Sequence, residues 1–417
     1  MLNNFRKVIN FNAISLIYLI IVGEMVFALP FHISRFFRPA LLEDFNYTNT
    51  MLGVAFSVYG ITALLSYLPG GYIADKISPK YLLFFSLLMT SFGGLFFLYN
   101  PGYVGLCMIY GFWGITTILF FWAALIKATR NIAGNRQGLF FGALESGRGL
   151  IASICGSVAV IIYSSSLLPE VYNNLFDTTI SSLSAVILFY TLVTFASSIM
   201  ILVFFKDNNT KALNIKKPKF KSIINNKKSI ISISIVVLAA YSGYKGIDYY
   251  SYYFYEILSY SKEKSSLIIT NLSYLRPISA IMAGIIADRI TSKLSCFFLF
   301  LLMIISYTLL SIIKIDNSLI FLLYGNFIIS MIAVFSLRGI FYSLLEEIKL
   351  PAYITGVSVG IISFIGYMAD IFIGPIFGYF LDKSTDIGSF QNCFILLLLL
   401  SILGFIASLK LDRKKIL

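Results

Sequence analysis

The chain has 417 residues, of which 58% are hydrophobic and only 12% are charged, and its mean hydropathy is +0.86. This composition lies far outside that of soluble domains and predicts a membrane protein with many spanning helices. The single histidine and four cysteines lie in or beside apolar runs without ligand-like spacing, so we expect no metal site, cofactor or disulfide framework. The first apolar stretch is too long for a cleavable signal peptide.

Twelve apolar runs are long enough to cross a bilayer and predict an all-α polytopic membrane protein. They cover residues 11–36, 50–70, 80–99, 103–127, 137–164, 184–205, 229–258, 263–287, 293–313, 318–345, 352–381 and 390–409. A long lysine-rich connection divides them, so we expect six-helix bundles at 1–205 and 229–417 and a basic cytoplasmic linker at 206–228. The linker either binds anionic lipid headgroups or only enforces topology.

The net charge of +13 reflects membrane topology and not a nucleic-acid partner. With an inside N-terminus and alternating helices, predicted cytoplasmic segments hold 22 of the 32 basic residues, and outside segments hold six, including Arg35 and Arg38. This positive-inside bias predicts that both termini are cytoplasmic. The lysine- and isoleucine-rich composition hints at a bacterial source, so we expect an integral protein of the inner membrane.

The two halves repeat a short motif after their second helices. Residues 71–80 read Gly-Tyr-Ile-Ala-Asp-Lys-Ile-Ser-Pro-Lys, and residues 284–293 read Gly-Ile-Ile-Ala-Asp-Arg-Ile-Thr-Ser-Lys, with six identities in ten positions. Parallel six-helix repeats predict a transporter architecture with a substrate site between the halves.

Both segments resemble the loop signature of the major facilitator superfamily, Gly-x-x-x-Asp-(Arg/Lys)-x-Gly-(Arg/Lys)-(Arg/Lys). They depart from it at the inner glycine, replaced by Ser78 and Thr291, and at the next position, taken by Pro79 and Ser292. The resemblance implies twelve helices in two bundles around a central cavity. It also implies a gating latch that holds one access state, formed by Gly71, Asp75, Lys76, Gly284, Asp288 and Arg289.

Eight charged residues fall within predicted membrane spans, and their charges sum to zero. The acids are Glu24, Glu145, Asp248 and Asp370, and the bases are Arg148, Lys245, Arg276 and Arg338. Charges inside a membrane are costly and normally face a protein interior or a wet cavity. They fall on predicted helices 1, 5, 7, 8, 10 and 11, and the resemblance implies that these line the cavity whereas helices 3, 6, 9 and 12 support it.

The positions of these charges suggest separate roles. Arg276, near the midplane and without an acid in its own helix, is the expected anchor for an anionic group. The predicted substrate-binding residues are Arg276, Arg148, Lys245, Tyr244, Tyr249 and Arg338, and the predicted proton-coupling residues are Glu24, Glu145, Asp248 and Asp370. We expect the Glu145–Arg148 pair to be the moving part. In the alternative, Glu145–Arg148 and Lys245–Asp248 stay paired and Glu24 alone carries the proton.

We expect a secondary active transporter for a small carboxylate-bearing or zwitterionic, amino-acid-like solute. It is expected to be coupled to a proton, with a sodium ion as the alternative, and to work as a monomer. The runner-up is a proton-driven drug antiporter, although the Gly-Pro signature on helix 5 is missing. A membrane enzyme or sensor is a remote alternative, because no catalytic constellation is visible. A nucleotide-driven pump is excluded, because the chain has no phosphate-binding loop motif.

Overall fold

The computed structural model describes residues 2–133, 137–165, 181–206, 226–313, 319–348 and 352–411. Within these ranges all regular structure is helical, which confirms the predicted all-α class. The same ranges contain 11 helices long and apolar enough to cross a membrane, or 12 when the bent pair Ala13–Met25 and Ala28–Phe36 counts as one span. Residues 207–225 of the predicted linker lie outside the described ranges.

We number the membrane spans 1 to 12 in chain order. The first six are Leu2–Met25 continued by Ala28–His32 and Ile33–Phe36, Asn49–Lys76, Pro79–Phe97, Gly102–Ile115 continued by Thr116–Trp122 and Ala123–Ala133, Gln137–Ser164, and Ser182–Phe204. The other six are Lys227–Gly246 continued by Ile247–Tyr249 and Tyr250–Glu256, Lys262–Ser273 with Leu275–Ile290, Ser292–Ile312, Ile320–Ile340, Ala352–Gly366 with Ala369–Lys383, and Ile387–Leu409. Short helices Arg38–Asp44 and Leu344–Glu347 follow spans 1 and 10.

Helices dominate because a bilayer offers no hydrogen bonds to the backbone, so each apolar run must satisfy its own N–H and C=O groups. Several spans begin at a polar residue whose side chain accepts a hydrogen bond from the first turn. These N-cap residues are Thr48, Ser181, Ser261, Thr291 and Asp386. Each cap satisfies one of the four N–H groups that a helix start leaves without an internal partner.

Spans 2 and 11, from opposite halves of the chain, touch closely at one end and separate at the other. A Cβ on Gly53 would lie 2.3 Å from the carbonyl oxygen of Gly374, and one on Gly378 would meet the span 2 backbone at 2.5 Å. Gly71 lies five helical turns from Gly53 and so faces the same way. A Cβ there, or at Gly360 on span 11, would meet nothing within 4 Å.

Spans 5 and 8 form a second seam between the halves with the same asymmetry. A Cβ on Gly149 or Gly156 would lie 3.0 Å from a side-chain carbon of span 8. Gly142 lies about two turns before Gly149 on the same helical face. A Cβ added to Gly142, or to Gly284 on span 8, would meet no atom within 4 Å. Both seams are therefore closed toward the same end of the bundle.

We call this closed side the capped end, formed by residues 37–51, 255–262 and 378–386. There Lys262 Nζ lies 2.7 Å from Glu43 Oε2 and 3.1 Å from Asp44 Oδ1. The Asp382 carboxylate accepts the N–H groups of Asn49 and Thr50 at 2.9 and 2.7 Å. Polar contacts between the halves thus reinforce the glycine contacts at one end, and the interior opens toward the other.

Candidate functional site

A cavity of about 770 Å³, including the solvent space at its mouth, lies between the two halves. Its lining comes from spans 1, 2, 4, 5, 7, 8, 10 and 11, and no described residue of spans 3, 6, 9 or 12 contributes. This partition agrees with the arrangement that the superfamily resemblance implies.

The first charged cluster of the cavity is centred on Glu24. Its Oε1 accepts from Arg276 Nη1 at 3.0 Å and lies 3.2 Å from His32 Nε2. Its Oε2 lies 3.2 Å from Arg148 Nε, and Arg148 Nη1 donates to Glu145 Oε1 at 2.7 Å. Glu24 is 2% exposed, whereas the Glu145 side chain is 41% exposed. One buried carboxylate therefore joins spans 1, 5 and 8.

The second cluster is centred on Asp248 of span 7. Arg35 Nε donates to Asp248 Oδ1 at 2.5 Å, and Lys245 Nζ lies 2.9 Å from Oδ2. Lys245 Nζ also lies 3.4 Å from Asp370 Oδ1, and the Asp370 carboxylate accepts from Tyr241 OH at 3.0 Å. All four charged residues are buried. This cluster joins spans 1, 7 and 11, and so bridges the two halves.

Arg338 differs from the other cavity cations because it has no ion-pair partner among the described residues. Its guanidinium lies over the Tyr244 ring, 3.6 Å from the centroid, and its Nη1 is buried without a hydrogen-bond partner. The Tyr244 hydroxyl accepts from Arg35 Nη1 at 2.7 Å. The ring thus holds Arg338 at the cavity wall while the guanidinium keeps donors free for a ligand.

The structure forms both ion pairs that the i, i+3 spacing suggested, Glu145–Arg148 and Lys245–Asp248. It changes the expectation for Arg276, which is not a free cation because Glu24 from span 1 neutralises it. Among the cations that line the cavity, the one without an ion-pair partner in the described ranges is Arg338 instead. Of the predicted proton carriers, Glu24, Asp248 and Asp370 are also buried in ion pairs.

Sequence reasoning missed Arg35 and His32. The sequence places Arg35 and Arg38 in an outside segment, but the structure buries both side chains, which are only 5% and 0% exposed. The π-helical turn Ala28–His32 bends span 1, so that His32 and Arg35 line the cavity. Arg35 falls inside the predicted apolar run 11–36, which is the signal that could have placed it there.

The predicted substrate residue Tyr249 lies away from the cavity. Its ring supports the Arg38 guanidinium at 3.8 Å, and its hydroxyl donates to the Gly374 carbonyl oxygen at 3.3 Å. Tyr249 therefore belongs to the contact between the halves near the capped end. Among the described residues, no group of His, Cys, Asp and Glu side chains could hold a metal ion.

The two loop motifs lie at the open end, and their acids make no ion pair within the described ranges. Asp75 and Asp288 are both exposed. Lys127 of span 4 donates to the Ala74 carbonyl oxygen at 2.6 Å. At the start of span 9 the capping carboxylate belongs to Glu347, which accepts from the Lys293 N–H at 3.2 Å. In this conformation a residue after span 10, and not Asp288 of the loop motif, therefore caps the start of span 9.

Comparisons with known proteins agree with this architecture. The chain is 25% identical over 408 residues to the inner membrane protein YihN of Escherichia coli K12, covering 95% of this chain and 94% of YihN. It is 26% identical over 409 residues to the inner membrane protein YqcE of the same organism, covering 94% of this chain and 92% of YqcE.

Two solved structures share the fold at 12% sequence identity. A bacterial homologue of the human lysosomal transporter Spinster, inward-facing and unoccupied, superposes with a TM-score of 0.76 over 97% of this chain and 99% of that chain. The nucleoside transporter NupG, solved as a point mutant, gives a TM-score of 0.71 over 96% of this chain and all of that chain.

A family model described as the Major Facilitator Superfamily matches residues 20–373. That range runs from the first span into span 11 and so includes both loop motifs and the cavity residues of both halves. Together with the fold, this match makes the chain a membrane-embedded transporter by architecture. The chain belongs to the Major Facilitator Superfamily.

Proposed function

We propose that this protein is a secondary active transporter that carries a small organic anion across the inner membrane by alternating access. The proposal rests on one observation, which is the surplus of positive charge around the cavity. The fold supports transport in general, and the charges supply the preference for an anion.

The relevant charges are those that line the cavity or pair directly with a lining residue. The bases are Arg35, Arg148, Lys245, Arg276 and Arg338, and the acids are Glu24, Glu145, Asp248 and Asp370. The eight charges identified in the sequence sum to zero, and the addition of Arg35 leaves one extra positive charge with His32 neutral. The extra charge corresponds to Arg338, the one base of this set without a carboxylate at ion-pair distance in the described structure.

This surplus narrows the expected solute class. A zwitterion needs a free carboxylate for its ammonium group, but each cavity acid already has a basic partner. A solute with a single carboxylate, phosphate or sulfonate group needs only the Arg338 fork, which can bind it in a bidentate manner. Eight aromatic residues of the lining can contact its carbon skeleton.

We propose that the capped end faces the outside, so that the cavity is open to the cytoplasm. The positive-inside bias of the sequence supports this orientation, which puts both termini in the cytoplasm. It also agrees with the inward-facing state of the Spinster homologue. Residues 1–205 and 229–417 then rock as two bodies joined by the linker 206–228, and the two loop motifs form the latch of the opposite state.

An anion moving into a negative-inside cell needs a driving ion, and we propose a proton. Glu145 is the most accessible of the four predicted carriers, because its side chain is 41% exposed whereas the other three acids are buried. A sodium ion is the alternative driver, and an imposed gradient of each ion separates the two.

The alternative of a drug antiporter has one observation in its favour, the aromatic lining of the cavity. The same rings attract organic cations through cation–π contacts. The unpaired guanidinium of Arg338 over Tyr244 opposes this reading, because it repels a second cation from the same ring. The charge surplus therefore favours the anion.

A thermal-shift panel on purified protein tests the proposal. The compounds are gluconate, glucose 6-phosphate, alanine and ethidium, which represent a monoanion, a dianion, a zwitterion and a cationic drug. We expect stabilisation by an anion, lost in Arg338→Gln and kept in Lys383→Gln, an exposed lysine at the capped end. Stabilisation by ethidium alone, or an anion response unchanged in Arg338→Gln, contradicts the proposal.

A further inference from the structure

His32 is the only histidine of the chain and lies in the bend of span 1, 1% exposed and at the cavity wall. Its Nε2 and the Nη1 of Arg276 approach the same atom, Glu24 Oε1, at 3.2 and 3.0 Å. Two donors that share one carboxylate oxygen compete for it. The strength of the His32 contact therefore affects how firmly Glu24 holds Arg276.

We propose that His32, and not the more exposed Glu145, is the residue that couples proton binding to anion binding. Once protonated, His32 carries a charge and takes a larger share of Glu24 Oε1, because charge-assisted hydrogen bonds are the stronger ones. Arg276 is then released from Glu24 and becomes available to the substrate. His32 acts in this scheme as a positioning residue, since it does not contact the anion itself.

The atom of His32 that accepts the proton is Nδ1. Nε2 faces a carboxylate oxygen, so in the neutral ring it carries the hydrogen and Nδ1 keeps its lone pair. Nδ1 is buried and has no hydrogen-bond partner among the described residues. A proton taken from water at the open end of the cavity adds to this lone pair and gives an imidazolium. The same proton leaves to water on the other side once the cavity has reopened there.

The groups around His32 come from four elements. On its own span they are Glu24 and Arg35, and the Tyr190 ring of span 6 packs against the imidazole with centroids 5.5 Å apart. Arg276 of span 8 and Arg148 of span 5 reach the same carboxylate, and the Cys155 thiol of span 5 lies near it against Met25. Glu24 is the one acid of this set, so the imidazolium depends on it.

The release of Arg276 would place a second cation at the proposed anion site. Its guanidinium lies 5.9 Å from the centroid of the Tyr244 ring, on which Arg338 already rests at 3.6 Å. Arg35 also lies over this ring at 4.2 Å, but Asp248 holds it. Arg276 and Arg338 are therefore the two guanidiniums that can bind a single anion together. Proton and anion then raise each other's affinity, as reciprocal linkage requires. This step rests on the proposed anion transport.

The protonation of a single histidine can be followed directly by ¹⁵N NMR of histidine-labelled protein in nanodiscs, without any ligand. We expect the imidazole signals to change from the neutral to the imidazolium pattern between about pH 5 and 8, where histidine charge normally changes. In Arg276→Gln the change should occur about one pH unit higher. The substitution removes the side chain that competes with His32 for Glu24, and it removes a positive charge that disfavours the imidazolium. Arg338→Gln is the matched control and should move it less.

Signals that stay neutral over this range in both wild type and Arg276→Gln would overturn the assignment, as would equal shifts in both arginine variants. A second readout is the concentration of gluconate or glucose 6-phosphate that half-stabilises the protein. It should be about tenfold lower at pH 6 than at pH 8 in wild type and independent of pH in His32→Gln. If His32→Gln keeps the pH dependence, the coupling role is wrong. Failure of every anion to stabilise the protein rejects anion transport, while the NMR experiment still decides on His32.

Discussion

At the scale of single residues, the buried charges differ in how completely they are compensated. Glu24 contacts three basic side chains, and Asp248 contacts two. Arg338 has no carboxylate within ion-pair distance in the described structure and lies against the rings of Tyr241 and Tyr244. Because an uncompensated charge in a low-dielectric interior is unfavourable, an incoming anion gains most at Arg338. The paired charges shape the cavity, and the unpaired charge of Arg338 gives the cavity a preference for an anion.

The Asp248 cluster allows a test of how much the pairing of buried charges contributes to stability. Asp248→Asn leaves Arg35 without a carboxylate, so we expect the free energy of unfolding to fall by roughly 3–5 kcal/mol, as for other broken buried ion pairs. Adding Arg35→Met should recover most of this loss, because Lys245 keeps Asp370 as its partner. Denaturant titration of both variants in detergent measures the difference. A double variant no more stable than Asp248→Asn would show that the loss does not come from an unpaired Arg35 charge.

At the scale of elements, the breaks in the helices occur where side chains face the cavity. The π-helical turn Ala28–His32 of span 1 contains Pro30, which has no N–H to donate. In span 7 the 3₁₀ turn Ile247–Tyr249 follows Gly246 and carries Asp248. Such irregular turns redirect side chains and are tolerated in a membrane where protein or a wet cavity surrounds them. They place His32 and Asp248 at the site.

The contact between spans 2 and 11 depends on the absence of a side chain at Gly53. In Gly53→Ala the new Cβ would overlap the Gly374 carbonyl oxygen, so the helices must separate at the capped end. We expect a loss of roughly 1–3 kcal/mol in the free energy of unfolding, the range for overpacked contacts. Gly142→Ala is the matched control, because its Cβ points into open space. Equal losses in both variants would argue against a closed seam at Gly53.

Glu43 at the capped end gives the protein a pH-dependent contact. Its partial burial raises the pKa, but hydrogen bonds from Lys262 and Tyr255 outweigh burial and leave the pKa below its usual value. A lowered folded-state pKa means that the contact stabilises the protein above the unfolded pKa and is lost as the pH falls through the folded one. The wild-type melting temperature should therefore fall more steeply than that of Glu43→Gln between about pH 5 and 3. Parallel pH profiles would contradict this assignment.

At the scale of the whole molecule, much of the architecture could be predicted because the length of an apolar run can be read from the local sequence. The run 137–164 coincides with the helix Gln137–Ser164, and the pairs Glu145–Arg148 and Lys245–Asp248 follow from helical spacing. The contact between Glu24 and Arg276 joins residues 252 positions apart, and no local pattern encodes it. The apolar run 11–36 already contains Arg35, but the ion pairs that leave Arg338 without a carboxylate join distant residues and appear only in three dimensions.

The most direct test is uptake into proteoliposomes of whichever anion stabilises the purified protein most in the thermal panel. The measurement compares an inward proton gradient, an inward sodium gradient and no gradient, for wild type and for Arg338→Gln. We predict accumulation driven by the proton gradient in wild type, abolished by a protonophore and lost in Arg338→Gln. Anion uptake unaffected by Arg338→Gln, or proton-driven movement of ethidium in place of the anion, would contradict anion transport through this cavity.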